Sequence, residues 1–182
     1  PDGKLILSYW HGEPNPKLKY PLTDFIHPVM GLYGETITDL CPKDHLHHRG
    51  IFWSWVRYDR NGQSAGSWWI PDHIRCLPDR LASSDGPIFS RFESRHWLAQ
   101  QLKPSASQAS VHSMDSERFI QEDLVCRIFP TASNGRAMDV DISILALEDN
   151  VHIGGQTTLN KGYGGMTLRY GPAKDIEIAV DG

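Results

Sequence analysis

No apolar stretch of this chain approaches the ~20 residues a helix needs to cross a bilayer. The longest patches, such as Ile142 to Leu147, are strand-sized and interrupted. Basic runs of five or more residues are also missing, and the formal net charge is −4 with nine histidines counted neutral. A nucleic-acid binder, which presents a basic face, is therefore not expected. Cysteine is scarce: Cys41, Cys76 and Cys126 are widely spaced, and none sits in a CxxC pair. That excludes a zinc knuckle and a thioredoxin-like centre. Cys126 falls at an apolar position of a predicted strand and reads as a core thiol. Pairing of Cys41 with Cys76 stays open, because the sequence carries no geometry for it. An initiator Met and a signal peptide are absent too, since the chain opens at Pro1. The expectation is a segment from inside a longer reading frame. Helical periodicity is hard to find anywhere.

What is present is alternation. With 182 residues, 40% hydrophobic and 22% charged, the chain can bury one sizeable core without staples. Met138, Val140, Ile142, Ile144 and Ala146 face one way while Asp139, Asp141 and Ser143 face the other. This period of two marks a strand with one buried face. Ile120, Leu124, Cys126 and Ile128 repeat the pattern, and so do Ile176, Ile178 and Val180. Turn pairs punctuate the runs at Asn61-Gly62, Asp85-Gly86, Asn134-Gly135 and Asp149-Asn150. Asn134-Gly135 predicts a hairpin because both residues tolerate positive φ. Gly162 to Gly165 predicts a turn before a strand at Met166 to Tyr170, and Pro104 to Ser110 reads as a loop. Many short strands with regular turns predict an all-β, antiparallel β-sandwich, one domain over residues 1–182. The final strand, Asp175 to Val180, should have partners still to come, so truncation at the C-terminus is expected.

The densest chemistry lies between His27 and Trp69. Asp44-His45-Leu46-His47-His48-Arg49-Gly50 leads into the aromatic strand Ile51-Phe52-Trp53-Ser54-Trp55. Imidazoles titrate near neutrality, and a guanidinium suits an oxyanion. If the segment is extended, His45, His47 and Arg49 share a face; if it turns, all four groups can converge. Candidate catalytic residues are His45, His47, His48, Arg49 and His27. His45 and His47, with Asp44, are the candidate ligands should a divalent metal be the cofactor. Trp53 and Trp55 share a strand face and read as core. One of Trp68 and Trp69 should be exposed, and with Tyr163 and Arg169 these two form the candidate substrate-binding set. His11, His73, His96, His112 and His152 are scattered and read as structural. Asp72 and Glu93 are not distinguishable from solvated acids.

The phrase His27-Pro28, then Gly34-Glu35, Thr38-Asp39, Pro42, Asp44-His45-Leu46-His47-His48-Arg49-Gly50, and the later Gly-Tyr-Gly-Gly-Met-Thr-Leu-Arg segment resemble the PmoA-like family, often labelled methane oxygenase. The resemblance implies a galactose mutarotase-like supersandwich, a bacterial protein of a family often exported (periplasmic or secreted), and company with sugar-degrading proteins. Three functions then compete. The first is a carbohydrate-active enzyme moving protons on a small-molecule or oligosaccharide substrate. The second is a metal-dependent hydrolase, lyase or oxygenase, and the third a non-catalytic glycan-binding module.

Overall fold

A computed structural model describes residues 3–12, 14–101, 118–156 and 162–172. The predicted loop at Pro104 to Ser110, His112 and the predicted strand from Asp175 to Val180 lie outside the described residues. Every named element is a β-strand, and every pairing is antiparallel. No helix among the described residues is long and apolar enough to cross a membrane.

The strands form three sheets. In chain order, β6 (Ile74–Asp85), β7 (Ser90–Gln100), β8 (Arg118–Ile128) and β9 (Met138–Ala146) make a long meander. A second sheet runs β1 (Leu7–Trp10), β2 (Phe25–Val29), β3 (Ile51–Trp55) and β11 (Gly164–Leu168). A third and shorter one orders β10 (Val151–Gly154), β4 (Arg57–Arg60) and β5 (Gln63–Gly66). The expected all-β antiparallel sandwich is present in this coarse form, with two shorter sheets laid against one long one.

Side-chain alternation explains the layering. Ile26, Ile51 and Trp53 of the second sheet pack on Phe92, Leu124 and Cys126 of the long sheet. Tyr58 and Ala65 of the short sheet, with Trp68, pack on Ile74, Leu98, Phe119 and Ile120 further along. On β9 the residues from Met138 to Ile144 alternate half-buried and exposed, as their spacing predicts, but Ala146, expected on the same inward face, is exposed at the strand's end. Strand β3 is covered on both faces, because Leu22, Phe25 and Phe52 form a further cluster behind it with Trp10, Tyr20, Leu40, Cys41 and Trp69. That is why Ile51 through Ser54 are all buried. The histidine segment belongs to this outer layer.

The turns divide by type. Asn61 (φ 49°) and Gly62 (φ 75°) make the two-residue turn between β4 and β5, with both residues in the left-handed region that hairpins favour. Asn134-Gly135 does lie between β8 and β9, but not as a two-residue hairpin. The strands end at Ile128 and begin at Met138, and Ala132 N donates to Gly135 O inside a longer connection. The three cysteines are free, so Cys41 and Cys76 do not pair.

Gly50 closes the histidine segment for a steric reason. Its φ is +55°, and a Cβ there would lie 2.1 Å from the Ile26 carbonyl oxygen and 2.8 Å from His27 Cβ. Gly50→Ala therefore combines left-handed strain with a backbone clash. We expect it to destabilise the fold by about 2–4 kcal/mol, read from the urea midpoint; a loss below about 1 kcal/mol would show that β2 and β3 can move apart.

Candidate functional site

The segment from Cys41 to Gly50 is a run of turns rather than an extended strand. His45 N donates to Pro42 O and His48 N to His45 O, while Cys41 N reaches back to His48 O at 2.8 Å. Three imidazoles gather as a result. His45 stacks on His48 with ring centroids 4.6 Å apart, and His47 meets His48 edge-on at 4.7 Å. Trp69 approaches His48 and His47 at 5.9 and 6.2 Å and stacks on Tyr163 at 5.9 Å. Asp44 ties the loop to the end of β11 through Arg169 Nη2, 2.8 Å from both carboxylate oxygens, and also contacts His45 Nδ1 at 2.8 Å. The His45 hydrogen bond and then Arg169 hold the Asp44 carboxyl at about 2.

Burial and the neighbouring histidines push His48 down to about 4, and burial with His45 and Arg49 also lowers His47. Near neutral pH both rings are therefore uncharged. A histidine whose folded pKa is depressed adds stability above its unfolded value near 6.5 and loses it as pH falls toward the folded value. Denaturation midpoints should accordingly drop between about pH 6.5 and pH 4, and His48→Gln should flatten that drop. An unchanged profile in the variant would mean that His48 does not titrate as its surroundings require.

Arg49 does not join the imidazoles at the surface. It is 0% exposed, and its guanidinium donates to the carbonyls of His47 (3.3 Å), Trp69 (3.5 Å) and Trp68 (3.2 Å). It lies over Phe52 at 4.5 Å and Trp68 at 5.3 Å. Its reach is thus to the backbone beneath the loop, not to a solvent-borne oxyanion. Trp68 belongs to the core beside it, whereas Trp69, Tyr163 and Arg169 stand with the histidines. His27 sits apart on β2, its Nδ1 2.9 Å from Thr38 Oγ1.

A second cluster lies between the long sheet and the second sheet. The inward positions of β7 are Phe92, Ser94, His96 and Leu98, and those of β8 include Ile120, Glu122 and Leu124. The register sets His96 directly opposite Glu122. Asp24, just before β2 and in the left-handed region at φ 58°, faces them. His96 Nε2 lies 2.9 Å from Asp24 Oδ2 and 3.1 Å from Glu122 Oε1, with all three groups at most 1% exposed. Tyr9 donates to Asp24 Oδ1 and lies 2.7 Å from Ser94 Oγ, and Trp53 Nε1 donates to Glu122 Oε1. Burial opposes charge on every member. The Asp24 carboxylate nonetheless holds His96 well above its ordinary value, and His96 in turn holds Asp24 below its own, while burial pushes the Cys76 thiol up to about 11 and raises Glu122.

Three atoms in this network lack a hydrogen-bond partner: Asp24 Oδ2 and both ring nitrogens of His96. Asp24 Oδ2 and His96 Nε2 are close but not aligned for a bond to each other, and both are buried. Cys76 completes a set: one ligand atom each from Asp24, Cys76 and His96 lies within 4.8 Å of the others. Among the described residues this is the group of three able to hold a metal ion, and Asp44, His45 and His47 do not form one. A divalent metal, considered for the histidine loop, would find a donor set in this cluster instead. In the sequence Cys76 stands out only as an open disulfide partner, His96 reads as structural, and nothing singles out Asp24 or Glu122. The available signal was polar residues at inward positions of otherwise apolar, alternating strands.

The molecule is thus an all-β sandwich carrying a buried, metal-competent cluster beside a surface histidine loop. The profile of a family described as a family of unknown function (DUF6807) matches residues 1–177, and the chain belongs to that family. No curated protein and no solved structure matches it. This corrects the resemblance to PmoA-like proteins: the match is to a different family and relates the chain neither to them nor to galactose mutarotases. The carbohydrate association, which came largely with that resemblance, loses that support.

Proposed function

We propose that this chain is a metal-dependent enzyme of hydrolase, lyase or oxygenase type, with Asp24, Cys76 and His96 as the metal's protein ligands. The observation that carries this reading is the set of buried, unpartnered polar atoms on Asp24 and His96, gathered with the Cys76 thiol so that one ligand atom of each lies within 4.8 Å of the others. Buried polar and ionic groups cost several kcal/mol each unless they are satisfied, and a cation that displaces the His96 ring proton would satisfy both side chains. Three protein ligands leave a position open, as in catalytic rather than closed structural sites. A divalent ion bound there would supply Lewis-acid chemistry. Tyr9 and Trp53 orient the carboxylates from outside the donor set, the role outer groups play around metal ligands.

Elemental analysis of protein purified without chelator tests this directly. A stoichiometric divalent metal is expected, lost in Asp24→Asn and His96→Ala, and its removal by chelator should lower the melting temperature of the wild type. Several preparations without metal would overturn the reading.

The histidine loop supports a second reading, as a proton-transfer site for a small molecule. It rests on imidazoles held in the base form beside Trp69 and Tyr163. Small-molecule ligands that quench Trp69 fluorescence should lose binding in His47→Ala and His48→Ala. Ligands that survive both changes and Trp69→Ala would remove the loop from recognition.

A further inference from the structure

The three donors of the metal-competent cluster are not equally enclosed. Asp24 and His96 are fully buried, while Cys76 is only half-buried. The reason lies in the sheet order. Cys76 sits on β6, which ends the four-stranded sheet on one side, whereas His96 sits on β7 inside it. In register, Cys76 pairs with Leu98 and Pro78 with His96, so the thiol is a diagonal neighbour of the imidazole on the same inward face. An edge strand has no further strand to cover its flank. Cys76 is therefore both a donor and, among the described residues, the member of the set on the strand that ends the sheet.

We infer that Cys76 is the solvent-side ligand of this site, so that the ion enters past the β6 edge and belongs to the thiophilic, zinc-like class rather than to magnesium or calcium. This rests on the metal reading above and adds the identity class and the route. The donor chemistry argues for it. Magnesium and calcium take oxygen ligands, six or more of them, and retain water. A set of one sulfur, one imidazole nitrogen and one carboxylate oxygen suits zinc, cobalt or ferrous iron in four-coordinate geometry. On binding, the S–H bond of Cys76 and a ring N–H bond of His96, held protonated by its acidic neighbours, both break as sulfur–metal and nitrogen–metal bonds form. Both protons leave to solvent, so uptake releases acid.

The test uses the wild-type chain, stripped with chelator and then offered zinc or magnesium. Alkylation of each cysteine by iodoacetamide is followed by mass spectrometry. Zinc should slow labelling of Cys76 about tenfold or more, with no change at Cys41, a half-buried free thiol that packs with the outer cluster behind β3. Magnesium at the same concentration should protect nothing. Cobalt titrated in place of zinc should bring a near-ultraviolet thiolate charge-transfer band that Cys76→Ser abolishes. If zinc or cobalt binds stoichiometrically but Cys76 labels at its unprotected rate and no such band appears, the inference fails while the metal reading stands. Equal protection by magnesium also defeats it. If no ion binds at all, both fall together.

Discussion

Replacing Arg49 by Met should destabilise the protein by about 3–5 kcal/mol, among the largest effects of any single change in the chain. The guanidinium is wholly buried, yet no carboxylate among the described residues forms an ion pair with it; its partners there are the carbonyls of His47, Trp68 and Trp69 and the faces of Phe52 and Trp68. Burial alone lowers its pKa, to about 10, so the cation persists at neutral pH. Methionine fills similar space and leaves the three carbonyls without that donor, each a penalty of about 1–3 kcal/mol if water does not reach it. Because those carbonyls belong to two loops, the effect should spread. Freed from Trp68 and Trp69, the histidine loop should open, and the His48 pKa should rise from about 4 toward the ordinary value as its desolvation is relieved. Arg49→Lys should recover little, since one ammonium cannot present the planar fork that reaches all three oxygens. Urea denaturation gives the stability, and the imidazole proton resonances give the pKa. A loss under about 1 kcal/mol with His48 unmoved would show that the loops hold without the cation.

That role also marks how far the sequence could be read. The alternation in β8 and β9 was legible because each strand has one apolar face, and the faces are those that the structure buries. The gathering of His45, His47 and His48 was legible as an option, once turns rather than extension were allowed. The inward direction of Arg49 was not. Arginine beside histidines reads as an anion-binding group, and only the tertiary arrangement brings Trp68 and Trp69 carbonyls beneath it. The metal-competent cluster was less legible still. Asp24, Cys76, His96 and Glu122 are scattered along the chain and come together only through strand register and the packing of two sheets. One trace was present: the apolar series Ile120, Leu124, Cys126 and Ile128 steps over Glu122, an acid at a position that should face the core. Its register partner His96 sits at the same depth between Ser94 and Leu98. Two ionisable residues at facing inward positions are more informative than either alone, because one buried charge demands a partner.

His96→Ala should be the most damaging change within that cluster, at about 3–5 kcal/mol in metal-free protein. It removes the positive partner of two acids, leaving Asp24 and Glu122 facing each other in the interior with the donors from Tyr9 and Trp53 and their own mutual hydrogen bond. The acids must then take up protons, and stability should become strongly pH-dependent. Asp24, whose pKa His96 holds down, would rise above its unfolded value. A carboxyl with a raised folded pKa contributes against the native state as pH climbs past the unfolded value near 4. The variant should therefore be least handicapped in mild acid and worst at neutral pH, opposite to the trend expected from His48. Adding Asp24→Asn to His96→Ala should restore part of the loss, with a coupling of about 1–3 kcal/mol, because one of the unpaired charges is gone. Urea titrations of the single and double variants at pH 5 and pH 7.5, with chelator present, decide it. If the two losses simply add, Asp24 and His96 are not energetically joined. The convergence of their atoms would then be a matter of packing rather than of a site built for a cation.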